Sequence, residues 1–171
     1  MKSDITMLLI NKKGKTRSSS LRSITKDGGE KQIVWFLSPK DDKGVAFLKI
    51  EHDDKDDEMR MWLPAFKKVR RISSKKRSDS FMGSDMSYED ITNRELDEYT
   101  YKLLREETIE EQIYYVLEII PKPDLQTEYS KHISRITKDY LLPIKEESFD
   151  NSGNLLKEKN IEFVKIKDYH I

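Results

Sequence analysis

Hydrophobic and polar residues alternate along much of this chain, which is the period-two pattern of a strand with two unlike faces. From Gly44 to His52, for example, Val45 and Phe47 alternate with Ala46 and Leu48. Such runs recur about every ten residues with turn-forming residues between them, and this spacing predicts a β protein. The predicted strands are 5–10, 15–24, 32–37, 44–52, 59–63, 67–73, 99–106, 112–120, 129–137, 143–149 and 155–166.

Local turn chemistry separates these strands. Asn11 to Gly14 suits a tight hairpin, and Asp150 to Asn154 suits another. The acidic run Asp53 to Glu58 lacks the central glycine of a hand-type calcium loop, so we interpret it as a solvated hairpin turn. Pro64 is expected to interrupt the fifth strand, which then resumes at Lys67.

One short helix is predicted near Ser87. The sequence Ser87-Tyr88-Glu89-Asp90 has the spacing of a capping box, and the helix would end near Glu98. Strand should therefore exceed helix several-fold, in one mostly antiparallel sheet whose neighbours follow sequence order. A sandwich, a barrel and a single wrapped sheet all fit this pattern.

Composition narrows the function classes. The chain has 171 residues, 37% of them charged, with a formal net charge of zero and no cysteine. Nucleic-acid binding by the chain as a whole is disfavoured, and disulfides, thiolate catalysis and cysteine metal sites are excluded. No segment reaches the ~20 apolar residues of a spanning helix. The amino terminus shows no secretory signal, so the chain is either cytosolic or already processed.

Chemistry-bearing motifs are few. His52, His132 and His170 lie far apart without metal-ligand spacing, so we interpret each as an ordinary surface or strand histidine. No nucleophile elbow, phosphate-binding glycine loop or zinc-protease helix is present. We predict no catalytic residue, no metal and no cofactor.

The segment Ser73 to Ser87 interrupts the strand pattern. It is a polar loop that contains the apolar pair Phe81-Met82 beside Gly83. Loops of this length in compact domains are usually functional or mobile. The pair is either a hydrophobic plug that anchors the loop to the core or a gate over a ligand cavity.

A basic cluster runs from Lys67 to Arg71 and continues at Lys75 to Arg77. On a strand, Lys68 and Arg70 would face one way, and Lys67 and Arg71 the other. The cluster is either a charged edge that prevents sheet-to-sheet aggregation or a docking surface for anionic headgroups or an acidic partner. In the second case the docking residues are Lys68, Arg70 and Arg71.

Several stretches resemble the outer-membrane lipoprotein-sorting family, the LolA-like proteins often encoded beside large exporters. The resemblance covers nearly the whole chain, and the block from Phe81 to Asp90 is specific enough to exceed chance. The residues that carry it are Trp62–Ile72 and Ser80–Asp90, with Phe36–Pro39, Lys43–Leu48, Tyr101–Leu104 and Tyr129–Lys131.

The resemblance implies a mainly β fold: a curved antiparallel sheet forming an unclosed (half) β-barrel, with a short helix and loop over its concave face. It implies a periplasmic carrier that takes lipoprotein acyl chains or other lipids toward the outer membrane. Family members usually begin with a signal peptide and an amphipathic helix, and they continue further. We therefore expect one LolA-like domain over residues 1–171, processed, without that helix and without a carboxy-terminal extension.

Apolar residues on both strand faces agree with such a carrier. Trp35 next to Phe36 and Leu8 next to Leu9 place large apolar groups on each face. Each acyl methylene buried contributes about 0.8 kcal/mol, so apolar walls suffice to hold a chain. The alternative for each residue is a helix that simply packs there. The candidate wall residues are Trp35, Phe47, Met61, Trp62, Phe66, Phe81, Met82 and Tyr88.

Two other functions stay open. One is a non-catalytic docking module for a membrane exporter or lipoprotein partner. The other is an enzyme with a polar site at Asp85, Tyr88, Glu89 and Asp90, since clustered carboxylates beside a tyrosine can do acid–base work. No nucleophile or metal set completes that site, so we predict a protein that is not an enzyme. Its implied partners are lipids or acyl chains and an exporter or outer-membrane acceptor, with peripheral membrane contact and no nucleic acid.

Overall fold

The computed structural model describes residues 1–52, 55, 57–166 and 169–170. Strands make up 54% of the described residues and helical turns 9%, which confirms the mainly β prediction. The chain divides into two compact units, Met1–Asn93 and Arg94–Ile171. The predicted acidic turn at 53–58 and the last residues of the chain lie partly outside the described residues.

The first unit contains a six-stranded antiparallel sheet. Its strands are hydrogen-bonded in sequence order from β1 to β6, as the short turns between them require. Each predicted strand in this half is present, with ends that differ by a few residues. The strands are β1 (Lys2–Ile10), β2 (Thr16–Lys26), β3 (Lys31–Ser38), β4 (Ala46–Ile50), β5 (Glu58–Leu63) and β6 (Lys68–Ile72).

The second unit contains a five-stranded antiparallel sheet, also in sequence order, and a two-stranded ribbon. The described strands thus form separate sheets instead of the single predicted one, and the sheets are not closed into a barrel. The strand predicted over 155–166 is broken at 161–164. The strands are β7 (Tyr99–Ile109), β8 (Gln112–Pro121), β9 (Lys131–Thr137), β10 (Pro143–Phe149), β11 (Leu155–Asn160), β12 (Lys165–Ile166) and β13 (Tyr169–His170).

Pro64 reverses the chain instead of interrupting a strand. It opens a 3-10 turn, Pro64–Phe66, that joins β5 to β6 as a hairpin. Proline suits the first position of such a turn because its φ is already fixed. Lys67 closes the turn in the left-handed conformation, with φ of 48°. The strand at Lys68 therefore runs antiparallel to β5 and does not continue it.

The predicted helix after Ser87 is two 3-10 turns, Glu89–Ile91 and Leu96–Glu98. The capping contacts predicted at its start are present. The Ser87 hydroxyl donates to the Asp90 carboxylate at 3.0 Å, and the Asp90 amide donates to the Ser87 hydroxyl at 3.3 Å. A cap alone does not sustain a helix, because a short helix needs an apolar face packed along its length.

The core of the first unit lies on one face of its sheet. Inward-facing residues alternate along the strands, as the period-two pattern requires. The buried core residues are Leu21, Val34, Phe36, Val45, Phe47, Met59, Met61, Ile72 and Phe81.

No described helix is long and apolar enough to cross a membrane.

Candidate functional site: the capped face of the first sheet

Residues 73–93, called the cap from here on, cover the buried face of the six-stranded sheet. Phe81 is only 6% exposed, and its ring centroid lies 5.4 Å from that of Phe47 and 6.2 Å from that of Phe36. Tyr88 packs 5.6 Å from Phe47 and edge-on to Phe81 at 5.8 Å. Offset and edge-on aromatic packing of this kind adds to the energy of burial.

A tight internal loop of the cap directs Phe81 toward the sheet. Ser80 and Ser87 form an isolated antiparallel bridge, and the Phe81 amide donates to the Met86 carbonyl at 2.7 Å. At the tip, Met82 and Gly83 have φ of 52° and 77°, the left-handed region that glycine adopts easily. The reversal places Phe81 inside while the tip stays at the surface.

Tyr88 is half-buried beside this loop. Burial raises the pKa of its phenol, an effect that the nearby charge of Arg70 opposes. The hydroxyl therefore stays protonated at neutral pH. An uncharged phenol is suited to the edge of an apolar site.

The end of the cap is tied to the sheet by polar contacts. The Asn93 amide and side-chain nitrogen donate to the two Glu51 carboxylate oxygens at 2.7 and 2.6 Å. Lys49, almost fully buried on β4, donates to the same carboxylate at 2.8 Å. The cap is thus held by apolar contacts in its middle and by a buried ion pair at its end.

The eight predicted wall residues divide between two places. Five of them lie on the capped face or in the cap: Phe47, Met61, Phe81, Met82 and Tyr88. The other three lie elsewhere: Trp35 and Trp62 on the opposite face of the sheet, and Phe66, 70% exposed, in the β5–β6 turn. Since Met61 and Trp62 are adjacent on one strand, they must face opposite ways.

The packing of Phe81 favours the plug interpretation in this conformation, because its ring fills the space between the cap and the sheet.

The opposite face carries an apolar row that crosses four strands. Val69 of β6 lies opposite Trp62 of β5, Ala46 of β4 lies opposite Trp62, and Trp35 of β3 lies opposite Ala46. Arg22, which pairs with Asp4, ends the row. Both tryptophans of the protein are therefore on the same face.

The three predicted docking residues do not share a face. Lys68 and Arg70 are paired with Leu63 and Met61 and lie on the capped side, whereas Arg71, opposite Arg60, lies on the other. All three are exposed. This arrangement agrees with the alternation expected from sequence.

A polar cluster in the second unit was missed by sequence reasoning. His132, interpreted as an ordinary surface or strand histidine, lies on a strand but is only 1% exposed. Its Nδ1 is 2.8 Å from the Ser148 hydroxyl. Three neighbouring strands, β9, β10 and β11, contribute to the cluster, and the only sequence signal was the strand alternation that aligns Ser134 with Glu146.

Glu146 is the centre of that cluster. Arg94 donates to both of its carboxylate oxygens, at 2.9 and 3.2 Å, and Lys159 lies 3.4 Å away. Burial raises the pKa of Glu146, but the hydrogen bonds and charge of Arg94 outweigh it and bring the pKa below its ordinary value. The carboxylate is therefore charged at neutral pH.

The residues of the possible enzymatic site have other contacts. Asp90 caps the turn that starts at Ser87, and Asp85 is exposed at the surface of the cap. Among the described residues, no three His, Asp or Glu side chains are grouped so as to hold a metal ion.

Comparison with known proteins identifies relatives over nearly the whole chain. A family model described only as that of an uncharacterized protein matches residues 28–171. A DUF1329 family protein from Desulfovibrio piger is 32% identical, with 99% of this chain and 74% of that one covered and a TM-score of 0.88. No curated protein matches the sequence.

Two further solved structures are similar. A putative outer membrane lipoprotein-sorting protein domain from Vibrio parahaemolyticus is 35% identical, with 98% and 73% of the two chains covered and a TM-score of 0.83. A LolA superfamily protein from Nitrosomonas europaea is 23% identical, with 97% and 71% covered and a TM-score of 0.74, which shows a shared fold.

Proposed function

The chain belongs to the outer-membrane lipoprotein-sorting family of LolA-like proteins, and on that premise we propose that it is a periplasmic carrier of lipoprotein acyl chains or other lipids. It would take its cargo from a membrane exporter or lipoprotein donor toward the outer membrane. The carrier acts by binding, without catalysis and without a cofactor.

One observation supports this proposal most directly. Phe81, from a segment with no regular strand or helix at that point, occupies the buried face of the sheet among other aromatic residues. An acyl chain could replace that ring when the cap lifts. The plug and the gate would then be two states of the same residue.

The energies make this exchange feasible. Exposing a buried phenylalanine costs up to about 3 kcal/mol, whereas each buried methylene returns about 0.8 kcal/mol. About four methylenes therefore offset the loss of Phe81. A longer acyl chain exceeds it and contributes net binding energy.

Methionine side chains suit the same role. Met59 and Met61 are in the core cluster, and Met82 packs against it from the cap. The unbranched thioether adapts to irregular apolar shapes, so these residues can repack around different chains. The site would therefore select for apolar length more than for exact structure.

A displaceable fluorescent fatty acid tests the proposal on delipidated protein. We expect uptake with micromolar-order affinity, and tighter uptake by Phe81→Ala because the ligand no longer has to displace the ring. Phe66→Ala, the same substitution at an exposed position outside the capped face, is the matched control and should leave affinity unchanged. If neither wild type nor Phe81→Ala takes up the probe, the carrier proposal fails.

Lipid extraction followed by mass spectrometry tests the same proposal in the cell. Protein purified without detergent should carry lipid in near-stoichiometric amount. Substitution of Met82 by Asp, in the partly buried part of the cap, should reduce that amount while the domain stays folded.

A further inference from the structure

The turns at one end of the first sheet bring together lysines that are far apart in sequence. In an antiparallel sheet with sequential neighbours, the β1–β2, β3–β4 and β5–β6 turns lie at the same end. Arg17, beside the first turn, forms an ion pair with Asp42 of the second. A Cβ at Gly44 would lie 3.7 Å from Pro64, which places the second turn against the third.

These three turns, called the basic end here, carry a surplus of positive charge. Neither the six lysines of these turns nor Lys68, the first residue of β6, has an ion-pair partner among the residues that the structure describes. At the opposite end of the sheet, the connection from β4 to β5 contains five acidic residues and one lysine. The unpaired and exposed lysines of the basic end are Lys12, Lys13, Lys15, Lys40, Lys43, Lys67 and Lys68.

Each turn also presents an apolar side chain beside these lysines. Ile10 ends β1, Leu37 lies at the end of β3, and Phe66 lies in the β5–β6 turn, with exposures of 63%, 42% and 70%. With strands about 4.8 Å apart, the three side chains span roughly 19 Å along the end of the sheet. Exposed apolar groups among cations are typical of surfaces that bind at the membrane interface.

We infer that the basic end docks the protein onto an anionic lipid bilayer, with Phe66, Ile10 and Leu37 entering the headgroup layer and the lysines meeting lipid phosphates. This surface lies at the end of the sheet, where only Lys68 also belongs to the capped side, and it goes beyond the proposed carrier function.

The chemistry of the charges favours a bilayer over an acidic protein. Arginine is the residue preferred for fixed, bidentate ion pairs at protein interfaces, whereas lysine is a mobile, strongly hydrated point charge. The free cations of the basic end are all lysines, and its arginine, Arg17, is already paired with Asp42. A fluid layer of phosphates meets such charges without requiring fixed geometry.

Vesicle flotation tests the inference on the full chain. The protein should bind vesicles in which roughly one lipid in three is anionic phosphatidylglycerol and the rest is phosphatidylcholine. It should bind vesicles of pure phosphatidylcholine only weakly. Raising the salt concentration should weaken the binding because exposed charges are screened. Equal binding to both vesicle types, or none to either, would overturn the inference.

Matched variants locate the surface. Lys12→Glu/Lys13→Glu should lower the partition coefficient by at least about tenfold, since each basic side chain near an anionic surface contributes about 1 kcal/mol. Lys75→Glu/Lys76→Glu makes the same charge change after β6, away from the basic end, and should lower it much less. An equal loss in both variants would contradict a localised surface.

The apolar contribution is tested separately. Phe66→Ser should weaken vesicle binding several-fold, whereas Leu96→Ser, also exposed but in the second unit, should not. In a Trp35→Phe background, Trp62 is the only tryptophan. Quenching of its fluorescence by brominated lipids then gives an independent measure of vesicle binding. Binding to polyglutamate but not to vesicles would assign the basic end to an acidic protein and overturn the inference.

The outcome is separable from that of the carrier proposal. Lys12→Glu/Lys13→Glu should take up the soluble fatty-acid probe as wild type does. Loss of vesicle binding with normal probe uptake supports docking, while absence of probe uptake with normal vesicle binding refutes only the carrier.

Discussion

The two units bury the faces of similar antiparallel sheets with different chemistry. The first uses aromatic and methionine side chains beneath a cap, centred on Phe47 and Phe81. The second buries apolar side chains as well, but beside them it encloses a polar cluster in which Glu146 is joined to Arg94 by hydrogen bonds and an ion pair. The cluster consists of His132, Ser134, Glu146 and Ser148, and the buried apolar residues are Tyr99, Val116, Ile119 and Tyr129. Apolar contacts are not directional and can be exchanged for those of a ligand, whereas a polar cluster keeps its geometry or loses its energy.

We propose that this difference gives the two units separate tasks. An exchangeable apolar interior suits the uptake of acyl chains, as we propose for the first unit. The fixed polar cluster around Glu146 suits a unit whose shape must not change when cargo enters or leaves. Substitutions in the two interiors therefore test the comparison from both sides.

The largest expected effect is that of Phe47→Ala, which removes a fully buried ring from the centre of the first core. The free energy of unfolding should fall by about 4 kcal/mol, because a cavity adds to the lost burial. Denaturant titration measures it. A loss below about 1 kcal/mol would mean that the cap collapses into the space, and that this interior adapts even more readily than we propose.

Glu146→Gln should lower the free energy of unfolding slightly less, by about 3 kcal/mol, because Arg94 loses its charged partner in a partly buried place. Glu147→Gln on the same strand, with a more exposed side chain, is the matched control and should cost little. If the two variants have equal stability, the polar cluster does not hold the second unit together.

Acid should remove the stabilisation that the ion pair between Glu146 and Arg94 contributes. The pKa of Glu146 in the folded protein lies below its ordinary value, so the unfolded chain binds the proton more readily. The stabilisation is fully present above about pH 4.3, the ordinary value, and is lost as pH falls through the folded pKa. The stability gap between wild type and Glu146→Gln should therefore narrow below about pH 4.3. If the difference in stability between wild type and Glu146→Gln stays constant down to about pH 2.5, well below the ordinary pKa, the pKa of Glu146 is not lowered by folding.

Ser87→Ala should have a moderate effect of about 1 kcal/mol, the usual cost of losing a capping hydroxyl. The change loosens the turn that follows Phe81 without removing an apolar contact. Hydrogen exchange of the cap amides should speed up, while that of β7 to β9 stays the same. Uniform acceleration across both units would show that the cap is not a local element.

The smallest stability effect is expected for Arg70→Glu/Arg71→Glu, within about 0.5 kcal/mol because both side chains are exposed. If these residues dock an anionic headgroup or an acidic partner, that binding should weaken and lose its salt dependence. Unchanged binding in this variant would return the strand to the role of a charged edge that prevents aggregation.

Much of the fold was predictable because strand signals are local. Alternation located the eleven longer strands, and Asn11 and Gly14 identified the first hairpin. Pro64 was misinterpreted because the same residue can mark a strand edge or open a turn, and only the pairing of β5 with β6 distinguishes the two. The structure has two 3-10 turns where a helix was predicted after Ser87, because the cap is present without the packing that sustains a helix.

The candidate site was only partly predictable. The pairing of Phe81 and Met82 with Gly83 drew attention to the cap, and the structure places Phe81 in the core cluster with Met82 packed against it. Trp62 and Met61 could not be assigned from sequence, because alternation separates two faces without saying which one is covered. Their placement depends on the cap packing against one side of the sheet.

The sequence by itself determined where strands and turns lie, because propensity and side-chain alternation act over a few residues. Only the tertiary structure decided which face is buried, that His132 is enclosed, and that Lys12, Lys40 and Lys67 meet at one end. These features join residues that are tens of positions apart. They arise from the order in which strands pair, which no local pattern specifies.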